Sequence, residues 1–244
     1  MSQTLIIGAG ITGAALAYHL SRRGESVTIV STHAEGGLAS AASFGWLNAS
    51  YFLNHPHYRL RHEGMAAHHR LTKALPGLAI SWPGCLWYEA TGDAQEETAS
   101  DLLALGYKVD RLTRGQVAER LPALGPVPET ALFFPEEGVS DPAILARALI
   151  VASGAKVIRA TVEALREAKG RVTGVDTDVG SIAADRVILA TGTGTPELLD
   201  PLGYKLPMLK RPGLMLATKA LPPICPVVLA TPEQEVRQDD KGRL

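Results

Sequence analysis

Leu5-Ile6-Ile7-Gly8-Ala9-Gly10-Ile11-Thr12-Gly13-Ala14-Ala15-Leu16-Ala17-Tyr18-His19-Leu20 passes from an apolar run through glycines into a helical stretch, and a second apolar run, Val27-Thr28-Ile29-Val30, follows. The order strand, glycine turn, helix, strand is the context in which G-x-G-x-x-G points to a bound dinucleotide. Gly8 permits the tight turn, Gly10 lets the backbone approach a pyrophosphate, and Gly13 lets the helix pack close to the strand. Amides at the start of the helix, aided by its dipole, favour the diphosphate charge. Residues 1–20 carry no Lys, Arg, Asp or Glu. A secretory signal is nevertheless not expected, because its basic region should precede the apolar core and here Arg22-Arg23 follow it.

Working outward, residues 57–75 read as a helix with Leu60, Gly64, Ala67, Leu71 and Leu75 on one face, stopped by Pro76-Gly77. Residues 84–89 read as a short aromatic strand, 98–105 and 116–121 as short helices, and 107–112 and 131–134 as strands. Ser140-Asp141-Pro142 signals a helix start, a capping residue ahead of proline, and Ser153-Gly154 its end. Residues 156–165 and 172–177 read as strands joined by a turn at Lys169-Gly170. The run Val187-Ile188-Leu189-Ala190 reads as a central strand ending in a second glycine turn, Thr191-Gly192-Thr193-Gly194. The final third, 209–237, reads as strands broken by prolines. The nucleotide-fold grammar thus occupies two separated stretches. The expected organisation is a discontinuous dinucleotide domain (1–50 and 140–205) and a second domain rich in antiparallel strands (51–139 and 206–244).

Composition narrows the class. The 244 residues can bury a sizeable core, and a net charge of −1 gives no reason to expect nucleic acid or an anionic membrane as partner. The two cysteines, Cys85 and Cys225, cannot build a disulfide framework and lack the C-x-x-C spacing of a metal or redox pair. No transmembrane segment is expected, and the cytoplasm is the expected location. His55, His57, His62, His68 and His69 cluster in sequence, but no acidic or Cys partner recurs near them. Solvated helix positions, without a metal, are the expectation. Arg59 and Arg61 read as the wet side of the same helix, and Trp82 and Trp87 as packing groups.

Which dinucleotide binds is not decided by the glycines. An NAD site places an acid about twenty positions beyond them to receive the ribose hydroxyls. Here the second strand ends at Ser31; Glu25 precedes that strand, and only Glu35 follows it. No Arg suited to an NADP phosphate lies close. FAD, NAD and NADP all remain open on this motif.

The stretch Gly36-Gly37-Leu38-Ala39-Ser40-Ala41-Ala42-Ser43-Phe44-Gly45-Trp46 is built of small residues whose amides can face a ligand. Together with Gly8–Gly13, Ala160-Thr161-Val162, Leu189-Ala190-Thr191-Gly192, the helix after Asp141-Pro142, and Pro212-Gly213-Leu214-Met215, it resembles the FAD-dependent amine and amino-acid oxidoreductases. These are the group of D-amino-acid oxidase, glycine oxidase, sarcosine oxidase and D-amino-acid dehydrogenase. The resemblance implies an α/β fold, a Rossmann-type FAD-binding domain with an interleaved antiparallel (α+β) substrate domain. It implies that Gly8, Gly10, Ile11, Thr12 and Gly13 hold the FAD pyrophosphate, with Leu38, Ala39 and Ser40 beside it. Ser31 would stand where the family usually has a ribose-binding acid, Val162 would meet the adenine, Thr191 and Gly192 would close over the cofactor, and Gly45 and Trp46 would approach the isoalloxazine. The implied reaction is oxidation of a C–N bond in a small amine or amino acid, with hydride passing to flavin. The rivals are an NAD(P)-dependent dehydrogenase and a non-catalytic partner subunit.

Residues 238–243 read as a turn, with Leu244 beginning a returning strand that has no partner. Family members continue past such a point, so the chain resembles their N-terminal two-thirds. The expectations are weak activity alone, and self-association or a complementary subunit.

Overall fold

The computed structural model describes residues 3–209 and 211–244. Its contacts divide the chain into two units, one comprising residues up to Phe44 and from Asp141 to Leu214, the other Gly45–Ser140 and Met215–Leu244.

In chain order, the first unit opens with strand β1 (Gln3–Ile7), helix α1 (Ile11–Ser21) and strand β2 (Ser26–Ser31). The second follows with β3 (Trp46–Leu47), α2 (His55–Ala74), β4 (Ile80–Ser81), β5 (Cys85–Trp87), α3 (Asp93–Ala104), β6 (Asp110–Thr113), α4 (Arg114–Arg120), β7 (Thr130–Phe134) and β8 (Gly138–Ser140). The chain returns to the first unit with α5 (Pro142–Ser153), β9 (Lys156–Arg159), β10 (Val162–Ala168), β11 (Arg171–Thr177), β12 (Gly180–Ala183), β13 (Arg186–Leu189) and the short α6 (Thr195–Leu199). It ends in the second with β14 (Val228–Ala230) and β15 (Glu235–Val236).

The first unit rests on a parallel sheet of order β13-β1-β2-β9. Leu5, Ile6, Ile29 and Val30 are fully buried, as expected of unbroken apolar strands in the middle of a parallel sheet. Helix α1 crosses from β1 to β2 and turns Gly13, Ala14, Ala17 and Tyr18 inward, the first three small enough to let it pack closely on α5. The Asp141 side chain caps α5 by accepting from the amides of Ala143 and Ile144 at 2.9 and 3.0 Å. Pro142 opens the helix and left-handed Gly154 ends it. An antiparallel sheet β10-β11-β12 completes the unit. Its first hairpin turns through Lys169 and Gly170, both at positive φ (53° and 74°). That backbone matches the strands' own twist.

The strand expected over 156–165 is in fact two, in different sheets. Ala160 gives its amide to Ser31 O, the last bond to β2, and Thr161 gives its amide to Asp178 Oδ1, which turns the chain into the second sheet. Val175, Ala160 and Ala184 pack there on Leu5, Ile7 and Val30.

The second unit has a five-stranded sheet, β15-β14-β5-β7-β6, and a three-stranded one, β3-β8-β4. Leu86, Leu112, Val117, Leu121, Phe133 and Leu229 form one core beneath the larger sheet. Residues 45–50, read with the first domain from sequence, belong here, because Trp46 and Leu47 pair with Val139 and Gly138.

Helix α2 buries Tyr58 and Met65, not the leucine face read from spacing, and Leu60 is 73% exposed. The strands expected across 209–237 shrink to β14 and β15. Pro212, Pro222, Pro223 and Pro226 have no amide to give a ladder. Leu244 is not unpaired: its amide donates to Thr218 Oγ1 and its carbonyl accepts from Thr218 N–H. Among the described residues no helix is long and apolar enough to cross a membrane.

Candidate functional site

The four strands of the parallel sheet run the same way, so Gly8, Ala160 and Ala190 follow their carboxyl ends and Ser31 closes its strand there, at the edge where ligands bind in open α/β sheets. Two of the three motif glycines are demanded by the protein's own packing. Gly8 has φ +108°, and a Cβ there would lie 2.4 Å from Ala190 O. A Cβ on Gly13 would lie 2.0 Å from Gly8 O.

Gly10 is different. Its backbone is ordinary (φ −71°, ψ 178°), and within 4 Å an added Cβ would meet only Ser40 Oγ, at 3.3 Å. Conformation does not require glycine here, and packing asks only that Ser40 Oγ give way by a few tenths of an ångström. What a side chain would fill is the space in front of the α1 N-terminus.

That terminus suits an anion. Gly10 offers no capping side chain and the first turn holds no acid. The Ile11 amide donates to Ser40 Oγ at 3.0 Å, while the amides of Thr12 and Gly13 lie in the turn where a helix has no internal acceptor. The loop after β2 is pinned beside this turn. The Gly36 amide donates to Ala9 O (2.9 Å), and a Cβ on Gly36 would lie 2.8 Å from the Ala143 Cβ. Gly37, at φ +58°, passes so near that its Cβ would be 3.2 Å from Gly10 Cα. Arg147 Nε holds Glu35 O (3.2 Å), and Leu38 is left 68% exposed.

The other residues expected at this edge have mixed surroundings. Ser31 is buried and gives its hydroxyl proton to His33 O at 3.0 Å. Glu25 lies at the amino end of β2, bonded to Thr4 Oγ1 and paired with Arg186, away from Ser31. Val162 opens β10 opposite Thr177. Thr191 Oγ1 and Thr195 Oγ1 share a hydrogen bond of 2.9 Å, and Gly192, at φ +57°, has open space where a Cβ would stand.

In the second unit, Gly45 is left-handed (φ +72°) and its carbonyl accepts from Ser140 N–H at 2.8 Å. The Trp46 indole donates to Glu137 Oε2 at 2.7 Å. Glu137 is fully buried and was not singled out from sequence. It also accepts from Ser50 Oγ at 2.6 Å and from the Tyr107 hydroxyl at 2.8 Å. Burial drives its pKa from the ordinary 4.5 up to about 7, against the opposing pull of these donors and of Arg61. Burial and the Glu137 charge push the Tyr107 hydroxyl and the Cys85 thiol well above their ordinary ranges.

Arg61 is therefore no wet-side residue. It is half-buried and clasps Asn48 through both the backbone carbonyl (3.2 Å) and the side-chain carbonyl. Nothing local marks Glu137 in Pro135-Glu136-Glu137-Gly138, since its neighbour Glu136 is a surface partner of Lys108. Trp87 is buried and donates to the Tyr51 hydroxyl (3.0 Å), and Trp82 stacks on His69 at 3.7 Å. His62 stacks on Tyr58, and no His/Cys/Asp/Glu group among the described residues could hold a metal ion.

Comparison with known proteins decides between the dinucleotides. The family model described as FAD dependent oxidoreductase matches residues 3–244. The chain belongs to this family. Its cofactor is FAD. Within the family, the chain is 31% identical to the uncharacterized oxidoreductase YurR of Bacillus subtilis (strain 168), over 100% of this chain and 70% of that protein. It is also 31% identical to 4-methylaminobutanoate oxidase (formaldehyde-forming) of Paenarthrobacter nicotinovorans, over 84% of this chain but 26% of that one. The crystal structure of glycine oxidase from Bacillus cereus ATCC 14579 superimposes with a TM-score of 0.85 at 21% identity, covering 100% of this chain and 69% of its own. That likeness establishes the α/β fold, with its Rossmann-type sheet and antiparallel companions, as the family's.

Proposed function

We propose that the edge of the parallel sheet is the FAD site and that the chain serves oxidation of a C–N bond in a small amine or amino acid. Gly8, Gly10, Ile11, Thr12 and Gly13 hold the pyrophosphate at the α1 N-terminus, and Leu38, Ala39 and Ser40 lie along it. Ser31 and Val162 take the adenosine half, Thr191 and Gly192 close over the cofactor, and Gly45 and Trp46 meet its ring system. The observation that carries this assignment is Gly10, a glycine the fold does not need beside helix amides that an anion would satisfy.

FAD, when bound, supplies the hydride acceptor; the protein's part is to orient the substrate C–H and exclude competing reactions. Ser40 holds the Ile11 amide and so fixes the loop beside the pyrophosphate position. No side chain is assigned to acid–base work. The amine class is supported by the relative named as a 4-methylaminobutanoate oxidase. Anaerobic mixing of FAD-loaded protein with amino acids and secondary amines tests it: bleaching of the flavin by these is expected, and bleaching only by alcohols or hydroxy acids overturns it. Leu209, Leu214 and Leu216, each more than three-quarters exposed, support association with a second polypeptide or copy. A monodisperse monomer in light scattering with ordinary turnover counts against that.

A further inference from the structure

We propose that Glu137 is a positioning residue that holds the segment 46–50 of the second unit, Trp46 and Ser50 included, in a single conformation. The argument begins with its hydrogen bonds. One carboxylate oxygen takes the Trp46 indole N–H; the other takes the Ser50 and Tyr107 hydroxyls. The Tyr107 oxygen in turn accepts from the Ala49 amide at 3.3 Å. Arg61 clasps Asn48 between these points, and Trp46 and Leu47 pair with β8. Every residue of 46–50 is thus fixed, and Glu137 reaches three of them directly or through one hydroxyl.

The anchor is itself rigid. The Glu137 carbonyl accepts from Gly84 N–H (2.9 Å) and its amide donates to Phe134 O (3.3 Å), which ties it to two strands of the larger sheet. Gly138 beside it is locked too, since a Cβ there would lie 2.5 Å from the Trp82 ring.

A fully buried carboxylate is an expensive way to brace a loop, because burial penalises the charge and leaves the acid poised near neutrality. Serine, tyrosine and tryptophan could be bonded as well by a neutral amide. The groups facing the carboxylate are Tyr107 from the stretch before β6, Arg61 from α2, and Cys85 from β5, with Glu89 and Tyr51 next in line. Arg61 alone among them is cationic; its Nε and Nη2 are turned to Asn48, and it acts on Glu137 through its charge. Ionisation of Glu137 therefore changes the strength of its bonds to Trp46 and Ser50.

The test follows the Trp46 indole N–H by nuclear magnetic resonance in ¹⁵N-tryptophan-labelled protein without FAD. In the parent chain the Trp46 signal should shift with pH, with a midpoint near 7. In Glu137→Gln, whose amide can still bond the indole and both hydroxyls, the signal should persist but no longer titrate. In Glu137→Ala it should broaden or move to the position of a solvent-exposed indole. A Trp46 signal that does not titrate in the parent, or that titrates equally in Glu137→Gln, overturns the proposal.

Discussion

Gly10→Ala separates what the fold needs from what the cofactor needs. The new methyl finds only Ser40 Oγ within 4 Å, at 3.3 Å, and the residue keeps an ordinary backbone conformation. The cost to the FAD-free protein is that of alanine in place of glycine at a helix N-cap, below about 1 kcal/mol. For a chain of this length that lowers the melting temperature by about 2–4 °C at most. The same methyl stands before the first-turn amides and keeps a phosphate from closing on them. Loss of a charge-assisted contact of about 1.5–3 kcal/mol weakens FAD binding by about 10- to 150-fold. Thermal melts of the FAD-free protein and titration of FAD by fluorescence quenching read the two effects separately. An unchanged dissociation constant would show that the pyrophosphate does not lie against Gly10. A collapsed melting temperature would show that the fold does require glycine there.

Gly13→Ala has the opposite profile: its Cβ would lie 2.0 Å from Gly8 O, so the FAD-free protein should lose about 3 kcal/mol, seen in denaturant melts. Ser40→Ala removes the acceptor on the Ile11 amide and should cost about 1 kcal/mol of stability together with weaker FAD binding, measured by the same melts and titrations. Glu137 gives stability a distinctive pH dependence. Its carboxyl holds a proton more tightly in the folded chain (about 7) than when unfolded (4.5). The folded state therefore carries the extra proton between those values, and stability falls as pH rises through that window by about 3 kcal/mol, levelling off above it. Urea melts across the window should show this fall in the parent and not in Glu137→Gln; a parallel profile in both removes Glu137 as its source.

The features legible in the sequence are those made by neighbours along the chain. The glycine turn, the Asp141-Pro142 helix start and the Lys169-Gly170 hairpin each encode their geometry within a few residues, and each stands where it was read. The Glu137 cluster joins positions 46, 50, 107 and 137, which share no period, and an acid bound for the interior looks the same in sequence as the half-buried Glu136. Helix α2 misled for a related reason. Its leucines recur at helical steps, yet the unit offers its interior to Tyr58 and Met65, because Tyr107 and the aromatic cluster lie on that side. The proline-rich run before β14 is apolar enough to suggest strands, but its missing amides deny it a ladder.

The most direct measurement is the FAD content of the chain after purification or reconstitution, read from visible absorbance against protein concentration. Stoichiometric uptake of FAD, sharply reduced in Gly10→Ala, is the expected result. Tight binding of NAD or NADP with no uptake of FAD would contradict it.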